Sequence, residues 1–283
     1  MGRVEKHNQL PETLTAAWYQ NVKKLGKTNH TPTLSVNCRF IELPPVPERE
    51  GSDRDNVIWH GITANLSIFY HRLYHLLNND EKAAAARYRN QPDRESYVVR
   101  HGILRLLLGR RLNIPADALV FRFNQNNKPY LKAIGARSCF FNLSHSGGEF
   151  LIAIGKDELG IDIEKVDPAF EWQDIASTYF SAAEVDYIAT APKPTQAFFL
   201  LWTRKEALIK ARGMGIDDNL PAVPALDGLH QLPGYWSEKE WKTDSFTFSH
   251  NFVASITYPS PVKNLKVTQI EAEMVQALSQ TAG

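Results

Sequence analysis

The sequence predicts an α+β protein built from two similar halves, and three observations support this. From Val57 onward, segments with helical periodicity alternate with segments whose apolar residues recur at every second position, as in strands. The stretch IELPPVPEREGSDRDN (41–56) is rich in proline and charge, which is typical of a linker. GGEFLIAIG and SHNFVASITYP each place a polar turn before an alternating apolar strand, and a duplicated α+β unit would explain these two short matches.

The first half begins with a strand in NVIWHGITA. NNDEKAAAARYR predicts a helix with Asn79 or Asp80 as its N-cap, and DRESYVVRHGILRLLLGRRLNI predicts a long helix that ends before Pro115. LVFRFNQNNKPYL predicts two strands joined by a turn, in which Asn126 and Asn127 supply the left-handed backbone.

The second half follows two strands predicted around the polar turn of CFFNLSHSGGEFLIAIG. LGIDIEKV alternates as a strand with one buried face. IASTYFSAAEVDYIAT and PTQAFFLLWTRKEALIKARG predict helices, the second ended by Gly213 as a C-cap. DSFTFSHNFVASITYP and NLKVTQIEA return to strands. The predicted division is an extension or linker at 1–56, including one amphipathic helix in LPETLTAAWYQNVKKL, a first half at 57–157, a second half at 158–270 and a tail at 271–283.

Composition excludes several classes of protein. The chain has 283 residues with 43% hydrophobic content, enough for a packed core, and its net charge of +1 argues against a dedicated nucleic-acid binder. Cys38 and Cys139 lie far apart, which supports neither a disulfide framework nor a cysteine zinc site. MGRVEKHNQL lacks the apolar core of a signal peptide, and no run of 18 apolar residues predicts a membrane span. We therefore expect a reduced, cytoplasmic, soluble protein. We also expect it to be a monomer.

Two carboxylates share one face of the predicted strand LGIDIEKV. Asp162 and Glu164 are two residues apart, so both side chains leave the strand on the same side, just after Gly160. If buried alone, the pair would repel, and a divalent cation between them would remove that conflict. A solvated strand face is the alternative interpretation.

A second carboxylate lies on the predicted helix in LWTRKEALIK. Trp202, Glu206 and Lys210 recur at intervals of four and therefore share one helical face. Glu206 and Lys210 alone would form an ordinary ion pair, worth a few tenths of a kcal/mol. Combined with the strand pair, three carboxylates suit Mg²⁺, a hard ion that keeps several waters and binds phosphate oxygens. The lysine would then hold a phosphate as a point charge.

At this point the residues resemble a known family. GIDIEKV followed by LWTRKEALIK is similar to the paired signature of 4′-phosphopantetheinyl transferases of the surfactin-synthetase-activating type. The similarity runs from about Val57 to about Pro259 and includes, in the family's order, RESYVVRHGILRLLLGRRL, NNKPYL and FNLSHSGG. Because the blocks occur together and in order, the resemblance is specific.

The resemblance implies a fold and a reaction. Such enzymes have two α+β halves related by pseudo-twofold symmetry, with coenzyme A in the cleft between them. They transfer its phosphopantetheine arm to a serine hydroxyl of an apo carrier domain, and the other product is adenosine 3′,5′-bisphosphate. Carried over, Asp162, Glu164 and Glu206 would hold Mg²⁺, or Mn²⁺, against the pyrophosphate, and Lys210 would contact the same phosphates. Fatty-acid, polyketide and nonribosomal-peptide carriers all remain candidate partners, whereas nucleic acid and membranes are not expected.

The resemblance also implies roles outside the carboxylate group. Glu184 aligns with a glutamate assigned as the base for the serine proton; the alternative is an exposed carboxylate stabilised by a helix dipole. His145, together with Ser144, would bind the 3′-phosphate, although a lone histidine in a turn is often structural. Lys128 takes the position of the family's G-K-P lysine and would reach coenzyme A, while Asn127 replaces the usual glycine.

Several basic residues have no settled role. The basic pair that helps the family bind the 3′-phosphate is not cleanly present, and Lys82 or Arg87 would serve instead. Arg204 would face the carrier protein. Four arginines fall on several faces of the long helix, and a solvated surface with ion pairs is preferred for them over ligand contact: Arg100, Arg105, Arg110 and Arg111.

Two other classes of function compete with the transferase. A metal-dependent phosphohydrolase would use the same carboxylates to activate water and would release phosphate from simple esters without a carrier. A non-catalytic carrier-binding module would keep its partner affinity after Asp162→Ala. Neither explains why the histidine loop, the lysine turn and both acidic blocks occur together.

Overall fold

Two β-sheets, each covered on its outer face by one long helix, form the frame of the protein. The computed structural model describes residues 34–42, 56–131, 139–215, 219–232, 239–248, 251–260 and 265–280. The strands are β1 Leu34–Phe40, β2 Asn56–Ile62, β3 Phe121–Phe123, β4 Pro129–Leu131, β5 Phe140–Ser146, β6 Glu149–Gly155, β7 Gly160–Lys165, β8 Gly228–Leu232, β9 Trp241–Phe248, β10 Phe252–Pro259 and β11 Leu265–Gln269. The helices are α1 Thr63–Leu66, α2 Tyr70–Leu76, α3 Asn79–Ala86, α4 Gln91–Leu112, α5 Gln173–Tyr179, α6 Ala182–Thr190, α7 Pro194–Arg212 and α8 Ala272–Gln280.

The strands form a first sheet in the order β11-β2-β6-β5, a second sheet in the order β7-β10-β9-β1-β8, and a two-stranded ribbon, β3-β4. The hairpin β5-β6 turns at Gly147 and Gly148, which both have positive φ, 56° and 88°. Such a backbone matches the twist of two-residue hairpins. The mixed architecture confirms the predicted α+β class.

Three hydrophobic clusters hold the layers together. The first packs α4 against Phe150, Ile152 and Ile154 on one face of β6. The third contains Leu151 and Ala153 from the opposite face of β6, with residues of β7, β9 and β10, so the two sheets pack face to face. The second lies between α7 and the outer face of the second sheet. The order of layers is therefore α4, first sheet, second sheet, α7.

Segments near both ends of the chain pack with the half to which they were not assigned. β1, within the predicted extension 1–56, lies between β9 and β8, and its Val36 and Cys38 are buried. β11 pairs with β2 of the first sheet, and α8 in the predicted tail packs Val275 and Leu278 into the first cluster. The boundaries at 57 and 270 therefore do not separate the sheets, because each end of the chain crosses to the other half.

Local details correct three other predictions. The N-cap of α3 is Asn78 rather than Asn79 or Asp80, and its side chain accepts a hydrogen bond from the amide of Glu81 in a capping box. Asn127 has the predicted positive φ of 59°, whereas Asn126 does not. The helix predicted in IASTYFSAAEVDYIAT is two helices, because Ser181 starts a new capping box. The helix predicted in LPETLTAAWYQNVKKL and nearly all of the predicted linker lie outside the described residues.

None of the helices in the described ranges combines the length and the apolar composition that crossing a membrane requires.

Candidate active site

Strand β7 carries Asp162 and Glu164 on an edge of the second sheet, and within the described ranges its backbone pairs with β10 alone. Ile161 and Ile163 enter the core between the sheets, as the alternation predicts. The other face is also buried, since Asp162 and Glu164 are 0% and 3% exposed. The predicted single buried face was therefore wrong, because α7 covers the side that the carboxylates occupy.

Gly160 permits this close approach of α7 to β7. A Cβ at this position would lie 2.2 Å from the carbonyl oxygen of Ala207 and 2.2 Å from the amide nitrogen of Ala211. Both are backbone atoms, which cannot move away as a flexible side chain would. The glycine thus makes room for the helix backbone, and the contact brings Glu206 and Lys210 beside the strand.

We expect Gly160→Ala to separate α7 from β7. Overpacking a core typically costs about 1–3 kcal/mol, and here the clash is with main chain, so a loss at the upper end is expected in urea denaturation. Gly148→Ala is the control, because its Cβ meets no atom within 4 Å and only its positive φ opposes the change. Equal stability of Gly160→Ala and the unmodified chain would contradict the close-packing explanation.

Lys210 is the cation at the centre of the carboxylate group. Its Nζ lies 2.6 Å from Asp162 Oδ1 and 3.2 Å from Ser144 Oγ. Burial alone would lower the pKa of Lys210, but the charges of Asp162, Glu206 and Glu164 outweigh it and raise that pKa. The lysine is therefore protonated and held in place.

If all three were ionised, the carboxylates would carry more negative charge than Lys210 neutralises. Burial, and next the charge of Asp162, raise the pKa of Glu164 to about 8. Burial also raises the pKa of Glu206 to about 7. The charge of Lys210 lowers this pKa, and the charge of Asp162 raises it. Two buried oxygens have no hydrogen-bond partner among the described residues, Oδ2 of Asp162 and Oε1 of Glu206. Such a site is electrostatically suited to a further cation.

The donor chemistry fits a hard divalent ion. Oxygen ligands from carboxylates are what Mg²⁺ prefers, with water completing its shell. Across the described residues, however, no group of three or more His, Cys, Asp or Glu side chains is arranged so that it could hold a metal ion as it stands. The fit therefore rests on the charge and the unpartnered oxygens of the group, not on preformed coordination.

His145 lies between Ser144 and Ser146 on β5, so its side chain leaves the strand on the opposite side from theirs. Arg100 of α4 and Lys210 of α7 are the cations near its ring. Burial, followed by the charges of Arg100 and Lys210, lowers the pKa of His145 to about 3, so its ring is neutral at physiological pH. Arg100 is only 4% exposed, which overturns the preference for a solvated surface at this position. A neutral ring beside buried cations is compatible with the anion expected there.

The hydroxyl of Ser144 points to the carboxylate group, and not to the side of β5 on which His145 lies. Ser144 is 2% exposed, and its Oγ donates to Asp162 Oδ1 over 2.7 Å. As placed, this hydroxyl serves the carboxylate group, which differs from the predicted contact with a 3′-phosphate.

Lys128 caps the end of α7. Its Nζ donates to the carbonyl oxygens of Leu159 (3.2 Å) and Ala211 (3.0 Å), and burial lowers its pKa to about 8. Asn124 and Asn126 donate to the carbonyl oxygen of Gly213 from the same ribbon turn. Lys128 thus ties the first half to the helix that carries Glu206 and Lys210.

Glu184 lies outside the carboxylate group and takes part in an internal ion pair. The side chain is 2% exposed, with Oε2 at 2.8 Å from Nζ of Lys205 and accepting from the amide of Ser181. Its Oε1 accepts from the amide of Ala225. To act as the base, this carboxylate would have to leave its ion pair and reach the serine proton.

Two arginines also have structural roles that the sequence did not predict. Arg204, predicted to face a carrier, is 2% exposed and donates to Asp227 and to the carbonyl oxygen of Ala225. Arg105 is fully buried, where it pairs with Glu81 and donates to the carbonyl oxygens of Ala116 and Leu119. Neither is placed to contact a ligand at the surface.

Sequence reasoning missed Ser146. Its Oγ donates to Glu164 Oε2 over 2.8 Å. The signal was the alternation in FNLSHS, where Asn142, Ser144 and Ser146 share one face of β5 opposite β7.

Comparisons with known proteins point to one family. Residues 59–157 match the family model described as 4′-phosphopantetheinyl transferase, N-terminal, and residues 158–251 match that of the 4′-phosphopantetheinyl transferase superfamily. The chain is 32% identical over 256 residues to 4′-phosphopantetheinyl transferase gsp of Aneurinibacillus migulanus, covering 84% of this chain and 92% of the relative. It is 32% identical over 176 residues to a putative 4′-phosphopantetheinyl transferase of Synechocystis (60% and 72%) and 26% identical over 162 residues to 4′-phosphopantetheinyl transferase Sfp of Bacillus subtilis (56% and 70%).

Proposed function

Because the chain belongs to the 4′-phosphopantetheinyl transferase superfamily, of the Sfp type, we propose that its buried carboxylate group is the site of phosphopantetheine transfer. The protein is a transferase that moves the 4′-phosphopantetheine arm of coenzyme A to a serine of an apo carrier domain. The serine oxygen forms a bond to the phosphorus that carries the pantetheine arm, and its proton passes to a base or to solvent. The bond from that phosphorus to the bridging pyrophosphate oxygen breaks, and adenosine 3′,5′-bisphosphate leaves. The phosphohydrolase and the non-catalytic module are not favoured.

The observation that carries this proposal is the meeting of the two acidic blocks. Asp162 and Glu164 on β7, and Glu206 and Lys210 on α7, form one buried group although the helix lies far along the chain. We propose that Asp162, Glu164 and Glu206 hold Mg²⁺. When bound, the ion would neutralise charge on the pyrophosphate and stabilise the leaving group.

The chain's own residues supply orientation and charge. Lys210, kept protonated by its carboxylate neighbours, offers an ammonium to the phosphates beside Asp162. His145, with Arg100 nearby, is proposed to receive the 3′-phosphate. Lys128 is proposed to reach coenzyme A with the donor proton that its two carbonyl bonds leave over. These residues come from both halves, so the ligand would span the cleft between them.

The reaction is tested by incubating the full chain with coenzyme A, MgCl₂ and apo carrier domains of the fatty-acid, polyketide and nonribosomal-peptide types. Intact mass spectrometry should show a carrier heavier by one phosphopantetheine arm. A carrier with its acceptor serine replaced by alanine is the control. Phosphate release from simple esters with no change in any carrier would instead support the phosphohydrolase.

Metal removal gives a separate expected result. Chelation with EDTA should reduce the initial rate by at least about 100-fold, since a Lewis acid contributes several kcal/mol to the stabilisation of such transition states. Added MgCl₂ should restore the rate, and MnCl₂ in parallel shows whether the site distinguishes the two ions. An undiminished rate in EDTA would exclude the proposed metal dependence.

We also propose a cytoplasmic monomer. Cys38 and Cys139 are free thiols, and burial raises the pKa of each to about 11. Inert, unpaired cysteines suit a reducing compartment.

A further inference from the structure

The edge of β7 that does not pair with β10 faces β5. There, side chains of β5 accept hydrogen bonds from backbone N–H groups of β7. Three polar residues at alternate positions each accept a hydrogen bond from a backbone N–H of β7, also at alternate positions. The pairs are Asn142 with Ile161 (2.8 Å), Ser144 with Ile163 (3.4 Å) and Ser146 with Lys165 (3.1 Å). We call this contact the β5–β7 seam; it joins the first sheet to the second.

Two members of the seam reach further, to the carboxylates. The hydroxyl of Ser144 donates to Asp162 Oδ1 (2.7 Å), and that of Ser146 donates to Glu164 Oε2 (2.8 Å). A hydroxyl has only one proton to donate. Each serine accepts from the backbone and keeps its own proton to donate to a carboxylate oxygen.

We propose that Ser146 and Ser144 are positioning residues. Ser146 orients Glu164 for metal binding, and Ser144 orients Asp162. The inference rests on the proposed function. Glu164 has a long side chain with several rotamers, and a hydrogen bond from a strand of the other half limits them. Outer partners of this kind orient metal ligands, and removing one typically costs roughly 10–100-fold in metal affinity or activity.

The seam also couples the site to the packing of the two halves. The serines belong to the first sheet, whereas the carboxylates belong to the second. The orientation of the carboxylates that are proposed to bind the metal therefore depends on how the two sheets pack together, and not only on β7 and α7. Ser146 is the cleaner test, because Ser144 also accepts from Lys210.

Asn142 provides a matched control. It lies on the same strand and accepts from a backbone N–H of β7 in the same way, but among the described residues its side chain makes no hydrogen bond to a carboxylate. Asn142→Ala and Ser146→Ala each leave one backbone N–H of β7 without its seam partner. Only Ser146→Ala also removes a donor from a proposed ligand.

The test measures metal binding without any carrier protein. The full chain is titrated with MnCl₂ in the presence of coenzyme A, and free Mn²⁺ is followed by electron paramagnetic resonance. Ser146→Ala is expected to weaken binding roughly 10–100-fold, Ser146→Thr to restore it through its hydroxyl, and Asn142→Ala to lower the unfolding midpoint with little change in Mn²⁺ affinity. In transfer assays, Ser146→Ala should need more MgCl₂ for half-maximal rate, with a smaller change in kcat.

Wild-type affinity in Ser146→Ala would overturn the inference, as would an equal loss in Asn142→Ala. If Ser146→Ala does not fold, Ser146→Cys takes its place with the same expectation, since a thiol is a weak donor. If the unmodified chain binds no Mn²⁺ with coenzyme A, the metal site itself is refuted; if it binds and transfers normally, only the role of Ser146 is at stake.

Discussion

Replacing Asp162 with asparagine is expected to reduce phosphopantetheine transfer by at least about 100-fold while the fold is kept. The substitution removes a charge that Lys210 pairs with and that the proposed ion needs, and metal ligands and preorganised charges each contribute effects of this size. The fold should survive, because Asp162 raises the pKa of both Glu164 and Glu206 and its loss relieves that repulsion. Initial rates by intact mass and urea denaturation measure the two effects.

Asp244→Asn is the matched control for Asp162→Asn. Asp244 is a 1%-exposed aspartate on β9, but it pairs with Arg39 and accepts from the hydroxyl of Tyr258, away from the carboxylate group. Its replacement should lower stability and leave the rate per folded molecule unchanged. Full transfer activity in Asp162→Asn would contradict the proposed role of Asp162 in metal binding.

Glu184→Gln is expected to destabilise the protein by about 3–5 kcal/mol, the usual result of removing one partner of a buried ion pair. The ammonium of Lys205 is fully buried, and without the carboxylate it is left with the carbonyl oxygens of Leu220 and Val223. Burial already lowers the pKa of Lys205, and Glu184 opposes that effect. Urea denaturation of the variant against the unmodified chain gives the difference.

The same variant separates the structural role of Glu184 from the role of base. At a temperature where Glu184→Gln is folded, turnover with saturating carrier protein should be near normal. The double variant Glu184→Met with Lys205→Met should regain stability, because replacing a buried pair by apolar residues is often neutral or stabilising. A stable Glu184→Gln enzyme without turnover would instead return this residue to the role of base.

Much of the fold and of the site was predictable because its signals are local. Alternation along LGIDIEKV placed Asp162 and Glu164 on one face of a strand, and the interval of four placed Glu206 and Lys210 on one face of a helix. Strand and helix periods need no knowledge of distant residues. The motifs then identified the family, which the comparisons confirm.

Roles that depend on a distant partner were not predictable in this way. Glu184 looks like an exposed carboxylate at a helix start, and only the packing of α6 on α7 encloses it with Lys205. Ser146 belongs to a turn motif, and only the meeting of β5 with β7 brings its hydroxyl to Glu164. The segment at 34–40 lies before a linker, yet it pairs between β9 and β8 in the second sheet.

The sequence by itself determined which side chains share a face, and thereby the acidic strand, the Glu206–Lys210 helix and the class of reaction. The tertiary structure alone decided which of these charges are buried together, which are neutralised by an ion pair and which serine orients which carboxylate. The physical reason is that burial and pairing are set by contacts between elements far apart in the chain. A local pattern specifies the direction of a side chain, but not what it meets there.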